Sequence, residues 1–259
     1  MPRNPDVSLV VPCHNVERYL DEALRSAQQS TCAIEIIAID DGSTDSTSQI
    51  LRNHERRDKR VRVVEKSNEG YGATVNLGLR EARGTYVAVL EPDDWVLPGM
   101  YARLFSLARE KGMPDVVKSS YWRIMGSGTS AQYRAHGYLH GRLGPHDGTF
   151  TLLDEPGLIM YHPSIWSAIY RREFLQANGI CLVEAPGAGW VDNPFAVRTL
   201  AMAGSIAYTD DAYYCYREDL AEASSASIDP LVMVCRWHER EDVLDDLDVR
   251  DAAVRRANA

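Results

Sequence analysis

Two periods of hydrophobic and polar residues alternate along the first 120 positions. VSLVVP (7–12) is a short β-branched apolar run stopped by proline, the pattern of a buried strand. After it, Val16, Tyr19, Leu20, Ala23, Leu24 and Ala27 recur at helical spacing, which predicts an amphipathic helix. IEIIAID (34–40) predicts a second strand, and DGSTDS after it supplies turn residues and several side chains able to cap a helix over roughly 46–57. VRVVE (61–65) is the third strand, GYGATVNLGLREA a glycine-opened helix, and TYVAVL (85–90) the fourth strand. A further helix, MYARLFSLAREKG, puts Tyr101, Leu104, Phe105 and Ala108 on one face. This alternation predicts an α/β fold with a mostly parallel sheet flanked by helices.

The rhythm stops after DVVKSS (115–120). Residues 126–150 are rich in glycine and polar side chains, and too long for a simple connection, which predicts a mobile or functional loop. IWSAIYRREFLQANG reads as one helix ended by glycine, with Trp166, Tyr170 and Phe174 turned to the core. SIAYTDDAYYCYRE reads as edge strands, and the tail from about 228 as a charged helical segment. The predicted organisation is one domain in two halves, 1–120 and 121–227, followed by a C-terminal helical segment, 228–259.

Composition narrows the function classes. The chain has 259 residues, 45% of them hydrophobic, enough for one large core. A net charge of -9 argues against nucleic acid as a partner of the whole chain. Five scattered cysteines without C-x-x-C spacing suggest neither a disulfide framework nor a zinc site, and are read as reduced thiols of a cytoplasmic protein. No apolar run approaches the ~18 residues that span a bilayer.

In a doubly wound sheet, ligands bind beyond the carboxyl ends of the strands. Those ends read PCHN (12–15), DDGSTD (40–45), EKSNEG (65–70) and EPDDW (91–95). No G-x-x-x-x-G-K-[ST] loop is present, and GYGATVNLG lacks the spacing of a dinucleotide fingerprint. The ends instead carry Asp40, Asp41, Glu91, Asp93 and Asp94, which suit ribose hydroxyls, base N–H groups and a hard divalent cation. The plainer alternative is that Asp93 or Asp94 caps a turn or the next helix.

Taken together, VSLVVPCHN, IIAIDDGSTDST, NEGYGATVNLGL, GTYVAVLEPDDWVLPGM, IWSAIYRREFL and PGAGWVDNPF resemble the family 2 glycosyltransferases of bacterial surface-polysaccharide pathways, over about residues 7–225. The resemblance implies a GT-A fold, a nucleotide-diphosphate sugar donor with a uridine-type base favoured, manganese or magnesium, and inversion at the anomeric carbon. It implies that Pro12, Asn15, Glu17 and Asn76 line the nucleotide and that Asp41 accepts from the base. EPDDW stands where the family has D-x-D. Glu91 would face the ribose and Asp93 would hold the metal with Asp94 beside it. Glutamate replaces the usual first aspartate, and Pro92 fixes its own φ and pushes Glu91 toward extended geometry.

By the same resemblance Asp192 would be the base that takes the acceptor proton, although it could equally N-cap the following helix. Arg217, Ser224 and Ser225 fall in the family's phosphate-side segment, or on an ordinary surface loop. The implied acceptor is a glycan or a lipid-linked glycan, its choice lying with 126–150 and the segment before Asp192. A lipid-linked acceptor would bring the protein to the inner face of the membrane. His136 and His140, and the late His238, are weaker metal candidates. Trp95 and Trp190 flank the proposed metal and base and could stack on a sugar. A sugar-1-phosphate nucleotidyltransferase would need a basic, glycine-rich loop that PCHNVE lacks. A non-catalytic nucleotide-sugar or glycan-binding module stays open.

Overall fold

The computed structural model of the chain describes residues 4–126, 133–144, 146–187, 189–220 and 230–259. Its first half follows the predicted alternation: β1 (Val7–Cys13), α1 (Leu20–Gln28), β2 (Ile34–Asp41), α2 (Thr47–Arg57), β3 (Val61–Lys66), α3 (Tyr71–Glu81) and β4 (Tyr86–Val89). These four strands pair in parallel, with β1 between β2 and β4. Their unbroken apolar runs are explained by burial on both faces. Leu9, Val11, Ile36 and Ala38 share one cluster with Leu20 and Leu24 of α1, while Val10, Ile37, Ile39 and Val87 pack on the other face under Leu79 and Ala82.

The second half contributes β5 (Trp95–Val96), α4 (Met100–Glu110), β6 (Val116–Met125), β7 (Tyr133–His136), β8 (Ala168–Arg171), α5 (Arg172–Ala177), α6 (Asp192–Met202), β9 (Ile206–Arg217), α7 (Pro230–Asp246) and α8 (Ala252–Asn258). Its strands join those of the first half in one sheet in the order β3-β2-β1-β4-β8-β6-β9-β5, with β7 on β6. Here pairing is mixed: β8 is antiparallel to β4 and β6, β5 is antiparallel to β9, and β6 runs parallel to β9.

Two expectations are corrected. Residues 165–177 are not one helix but a 3-10 turn (Ile165–Ser167), then β8, then α5. Trp166, Tyr170 and Phe174 are buried as expected, but AIYR is claimed by pairing with β4 and β6, and sheet hydrogen bonds override a weak helical period. SIAYTDDAYYCYRE is a single strand inside the sheet, held between β6 and the short β5. The described part of 126–150 includes β7, which folds back on β6 and stacks His136 between Trp122 and His140.

The turn before β8 is organised by a buried cation. Lys118 on β6 donates from Nζ to Ser164 O and Ser164 Oγ at 2.8 Å and to Pro163 O and Ser167 Oγ at 3.1 Å. Burial pushes its pKa down to about 7. The five cysteines are free. Among the described residues no helix is long and apolar enough to cross a membrane.

Helix α3 lies unusually close to the sheet because it is built on glycines. A Cβ at Gly78 would stand 2.3 Å from Val10 Cγ1. Gly78→Ala is therefore expected to lower unfolding free energy by about 1–3 kcal/mol, the usual result of overpacking a dense core, as measured by urea denaturation.

Candidate active site

The carboxyl ends of the strands enclose a cavity of about 380 Å3 that draws on all four predicted strand ends: Pro12, Cys13 and His14, then Asp41, then Asn68 and Gly70, then Glu91, Pro92 and Asp93. Tyr71 and Thr74 of α3 and Gly187 complete it. Glycine is needed at position 70, where φ is +93° and a Cβ would lie 2.4 Å from Ala185 O. That close approach, repeated where Gly72 meets Val183 O, seats the start of α3 against 183–187.

EPDD forms a turn in which Asp94 N–H donates to Glu91 O at 3.1 Å, with Pro92 at the second position, where its fixed φ is favoured. The turn sends the two aspartates apart. Asp93 lines the cavity. Asp94 is buried in the opposite direction, its Oδ2 accepting from Tyr214 Oη at 2.9 Å and its Oδ1 from Arg217 N–H at 2.7 Å. Asp94, expected beside Asp93 as a second metal ligand, does not line the cavity, and each of its oxygens accepts a hydrogen bond from β9. Glu91 does not stand free in the cavity either: Tyr71 Oη donates to its carboxylate at 2.5 Å.

Burial pushes the pKa of Glu91 up to about 8, against the Tyr71 hydrogen bond that lowers it and with the neighbouring charges of Asp93 and Asp192 adding to the rise. Burial likewise raises Asp93, opposed by its own amide and by Arg217. Asp192 is pushed up to about 6 by burial, against hydrogen bonds from its own and the Asn193 amide. Asp192 opens α6 as its first residue, with Val191 in the cap position, so it stands one residue inside the helix rather than at its N-cap. Just before it, Trp190 adopts φ +54°, a costly conformation for a bulky residue.

Several residues expected at the nucleotide make hydrogen bonds within the walls. Asn15 and Glu17 fasten the loop after β1 to the loop after β2. Thr44 N–H donates to Asn15 Oδ1 at 2.8 Å, Ser46 N–H to Glu17 Oε2 at 2.8 Å, and Val16 N–H to Thr47 Oγ1 at 2.9 Å. Asn76 is buried on α3 and spends its amide on Leu182 N–H and Leu182 O, each at 2.9 Å, beside a separate cavity of about 260 Å3 that no carboxylate lines. Arg217 is buried and is not among the residues lining the cavity. Its guanidinium donates to Asp93 O and to the Glu22 carboxylate, and lies between the rings of Tyr19 and Trp95. Trp95 is thereby committed to Arg217 rather than to a sugar.

Asp41 does line the cavity, yet its oxygens already accept from Lys66 Nζ at 2.5 Å, Glu69 N–H at 2.9 Å and Gly70 N–H at 3.0 Å. Burial would raise its pKa, but those donors outweigh it and hold the carboxylate below its ordinary range. One lone-pair site on Oδ2 is left for a ligand. His14, which the sequence reading passed over although it sits in PCHN, accompanies it: Nδ1 contacts Asp41 O at 2.8 Å. A carbonyl only accepts, so Nδ1 carries the proton and Nε2 accepts from Asn68 Nδ2 at 3.2 Å. Ser224 and Ser225 lie outside the described residues. His238 is exposed on α7 against Trp237, and His140 turns to Asp210 O, so neither is drawn to the cavity.

The donor set fits a hard divalent cation. Among the described residues no Lys or Arg forms an ion pair with Glu91, Asp93 or Asp192. Nor do three His, Cys, Asp or Glu side chains among the described residues form a ready-made cage. One carboxylate with substrate oxygens and water is the arrangement magnesium and manganese accept.

Comparison with known proteins gives the family. The model of Glycosyl transferase family 2 matches residues 8–179. The chain belongs to this family. It is 30% identical over 225 residues to the uncharacterized glycosyltransferase EpsJ of Bacillus subtilis, an alignment covering 83% of this chain and 62% of EpsJ. The chain therefore spans less than two thirds of that relative. Among solved structures, S. aureus TarS 1–349 superposes with a TM-score of 0.74 at 23% identity, over 98% of this chain and 69% of TarS, and a further TarS structure contains UDP-GlcNAc. The mannosyltransferase PcManGT of Pyrobaculum calidifontis, solved with GDP-Man and Mn2+, superposes with a TM-score of 0.59 at 14% identity, over 97% of this chain and 77% of that one. The architecture is the GT-A fold.

The Tyr71 hydrogen bond is expected to be visible in the Glu91 titration. In 13C-carboxyl NMR, Glu91 should titrate near pH 8 in the unliganded protein, and Tyr71→Phe should move that midpoint upward, because the bond stabilises the carboxylate form.

Proposed function

We propose that the chain is a metal-assisted inverting glycosyltransferase, moving a sugar from a nucleotide-diphosphate donor, with a uridine-type base favoured, to a hydroxyl of a glycan or lipid-linked acceptor. The observation that carries the reading is one cavity at four strand ends holding Glu91 and Asp93, with the Asp192 charge near enough to shift Glu91. The TarS complex with UDP-GlcNAc supports the uridine-type donor.

In this reading the free lone pair of Asp41 accepts from a base N–H, Glu91 meets the ribose hydroxyls, and Asp93 would hold manganese or magnesium, which when bound would supply positive charge against the departing diphosphate. Asp192 receives the acceptor proton as the acceptor oxygen bonds to the anomeric carbon, while the bond to the diphosphate breaks on the opposite face and configuration inverts. Its place at the start of an 11-residue helix favours the ionised form, and a pKa of about 6 leaves it both deprotonated and basic near neutrality. For a lipid-linked acceptor, α7 offers an apolar surface of exposed Met233, Val234 and Trp237, tied to the loop before Asp192 by Arg236 Nε donating to Gly189 O at 2.9 Å.

Asp93→Ala is expected to abolish Mn2+-dependent binding of a UDP-sugar in calorimetry. Asp192→Asn should bind the donor normally while transfer falls by about 10²-fold or more; normal transfer by this variant would remove Asp192 as the base. With the base ionised above its pKa, wild-type kcat/KM should fall as pH drops through about 6, by about tenfold per unit below it. A profile flat down to pH 5 would contradict the assignment.

A further inference from the structure

We propose that Tyr214 is a positioning residue that aims the Asp93 carboxylate into the cleft by tying together the two ends of the Glu91–Asp94 turn. The inference rests on the reading of Asp93 as the cation ligand. Tyr214 lies on β9 and is fully buried. Its hydroxyl accepts from Glu91 N–H at 3.1 Å and donates to Asp94 Oδ2 at 2.9 Å, so one phenolic oxygen bridges the first and last residues of the turn. The turn's own bond, Asp94 N–H to Glu91 O, closes the ring.

With both ends pinned to β9, the freedom left to the turn is small. Asp94 Oδ1 is held by Arg217 N–H, and the guanidinium of the same residue holds Asp93 O. The remaining group, the Asp93 side chain, has the cavity as its outlet. The phenol itself cannot slide, because its ring stacks on Trp166 with centroids 4.1 Å apart and planes 20° from parallel. Trp166 sits in the Ile165–Ser167 turn, which the Lys118 ammonium gathers from behind. A hydroxyl with two partners on one turn, on a ring clamped by a third element, is the arrangement expected of a group that orients a ligand rather than one that only fills space.

Tyr214→Phe keeps the ring and removes the bridge. Expected results are a near-UV circular dichroism spectrum like that of wild type, faster deuterium exchange in the peptide spanning 88–96, and a Mn2+ dissociation constant raised by about tenfold or more, read by electron paramagnetic resonance of free Mn2+ with UDP present. Transfer at saturating Mn2+ should stay close to wild type while the Mn2+ concentration for half activity rises. Should Tyr214→Phe fail to fold, Asp94→Asn takes its place, since it weakens the acceptor of the same hydroxyl, with the same expected results. Combining the two should be no worse than the more severe single change, whereas multiplying effects would mean the residues act independently and would overturn the bridge. A folded Tyr214→Phe with unchanged exchange and unchanged Mn2+ affinity overturns it as well. Asp93→Ala separates the two readings: wild-type protein that binds no Mn2+ sinks the cation assignment and leaves the bridge to be judged by exchange, while loss of Mn2+ in Asp93→Ala alone sinks only the bridge.

Discussion

Adjacent carboxylates cannot both be taken out of water unless each has its own way of disposing of charge, since burial of an unpaired ion costs several kcal/mol. In the Glu91–Asp94 turn the two aspartates are given different answers. Asp94 is met inside by the Tyr214 hydroxyl and the Arg217 amide. Asp93 is left facing the cleft, its carboxylate in no ion pair among the described residues. That division depends on β9 running beside β5, so that residues more than a hundred positions downstream supply the donors. The cleft, the turn and the second half of the sheet are in this sense one construction.

The same economy runs through the other walls. Asn15, Glu17 and Asn76 are polar side chains spent on neighbouring loops: Asn76 satisfies the buried Leu182 amide, while Asn15 and Glu17 hold the exposed amides of Thr44 and Ser46. Asp41 does both, shaping the 66–70 loop through three donors while keeping one lone pair toward the cavity. Arg217 is spent in the same way. Its charge neutralises Glu22 and its plane is sandwiched between Tyr19 and Trp95, so it stabilises the back of the turn rather than its mouth.

Much of the fold was legible in the order of residues. The parallel half was readable because its strands are apolar on both faces and its helices keep a clean i, i+3, i+4 pattern, as Leu20, Ala23, Leu24 and Ala27 do. Residues 165–177 were misread because Trp166, Tyr170 and Phe174 are buried at helical spacing while belonging to a turn, a strand and a helix in succession. Spacing reports which positions are buried; it does not report which backbone carries them.

What the amino-acid sequence determined by itself is the alternation of elements, the four polar strand ends and the presence of acidic side chains on them, since periodicity and turn chemistry are local properties. Even the proline of EPDD acts locally, by presetting the turn. Only the tertiary structure decided that Asp93 faces the cleft and Asp94 the core, that Tyr71 holds Glu91, and that Asp192 lies close enough to alter Glu91's protonation. Those outcomes depend on donors from β9 and α3 and a charge from α6 arriving at one point, and the distances between elements that meet only in the folded chain are not written in the spacing of any one of them.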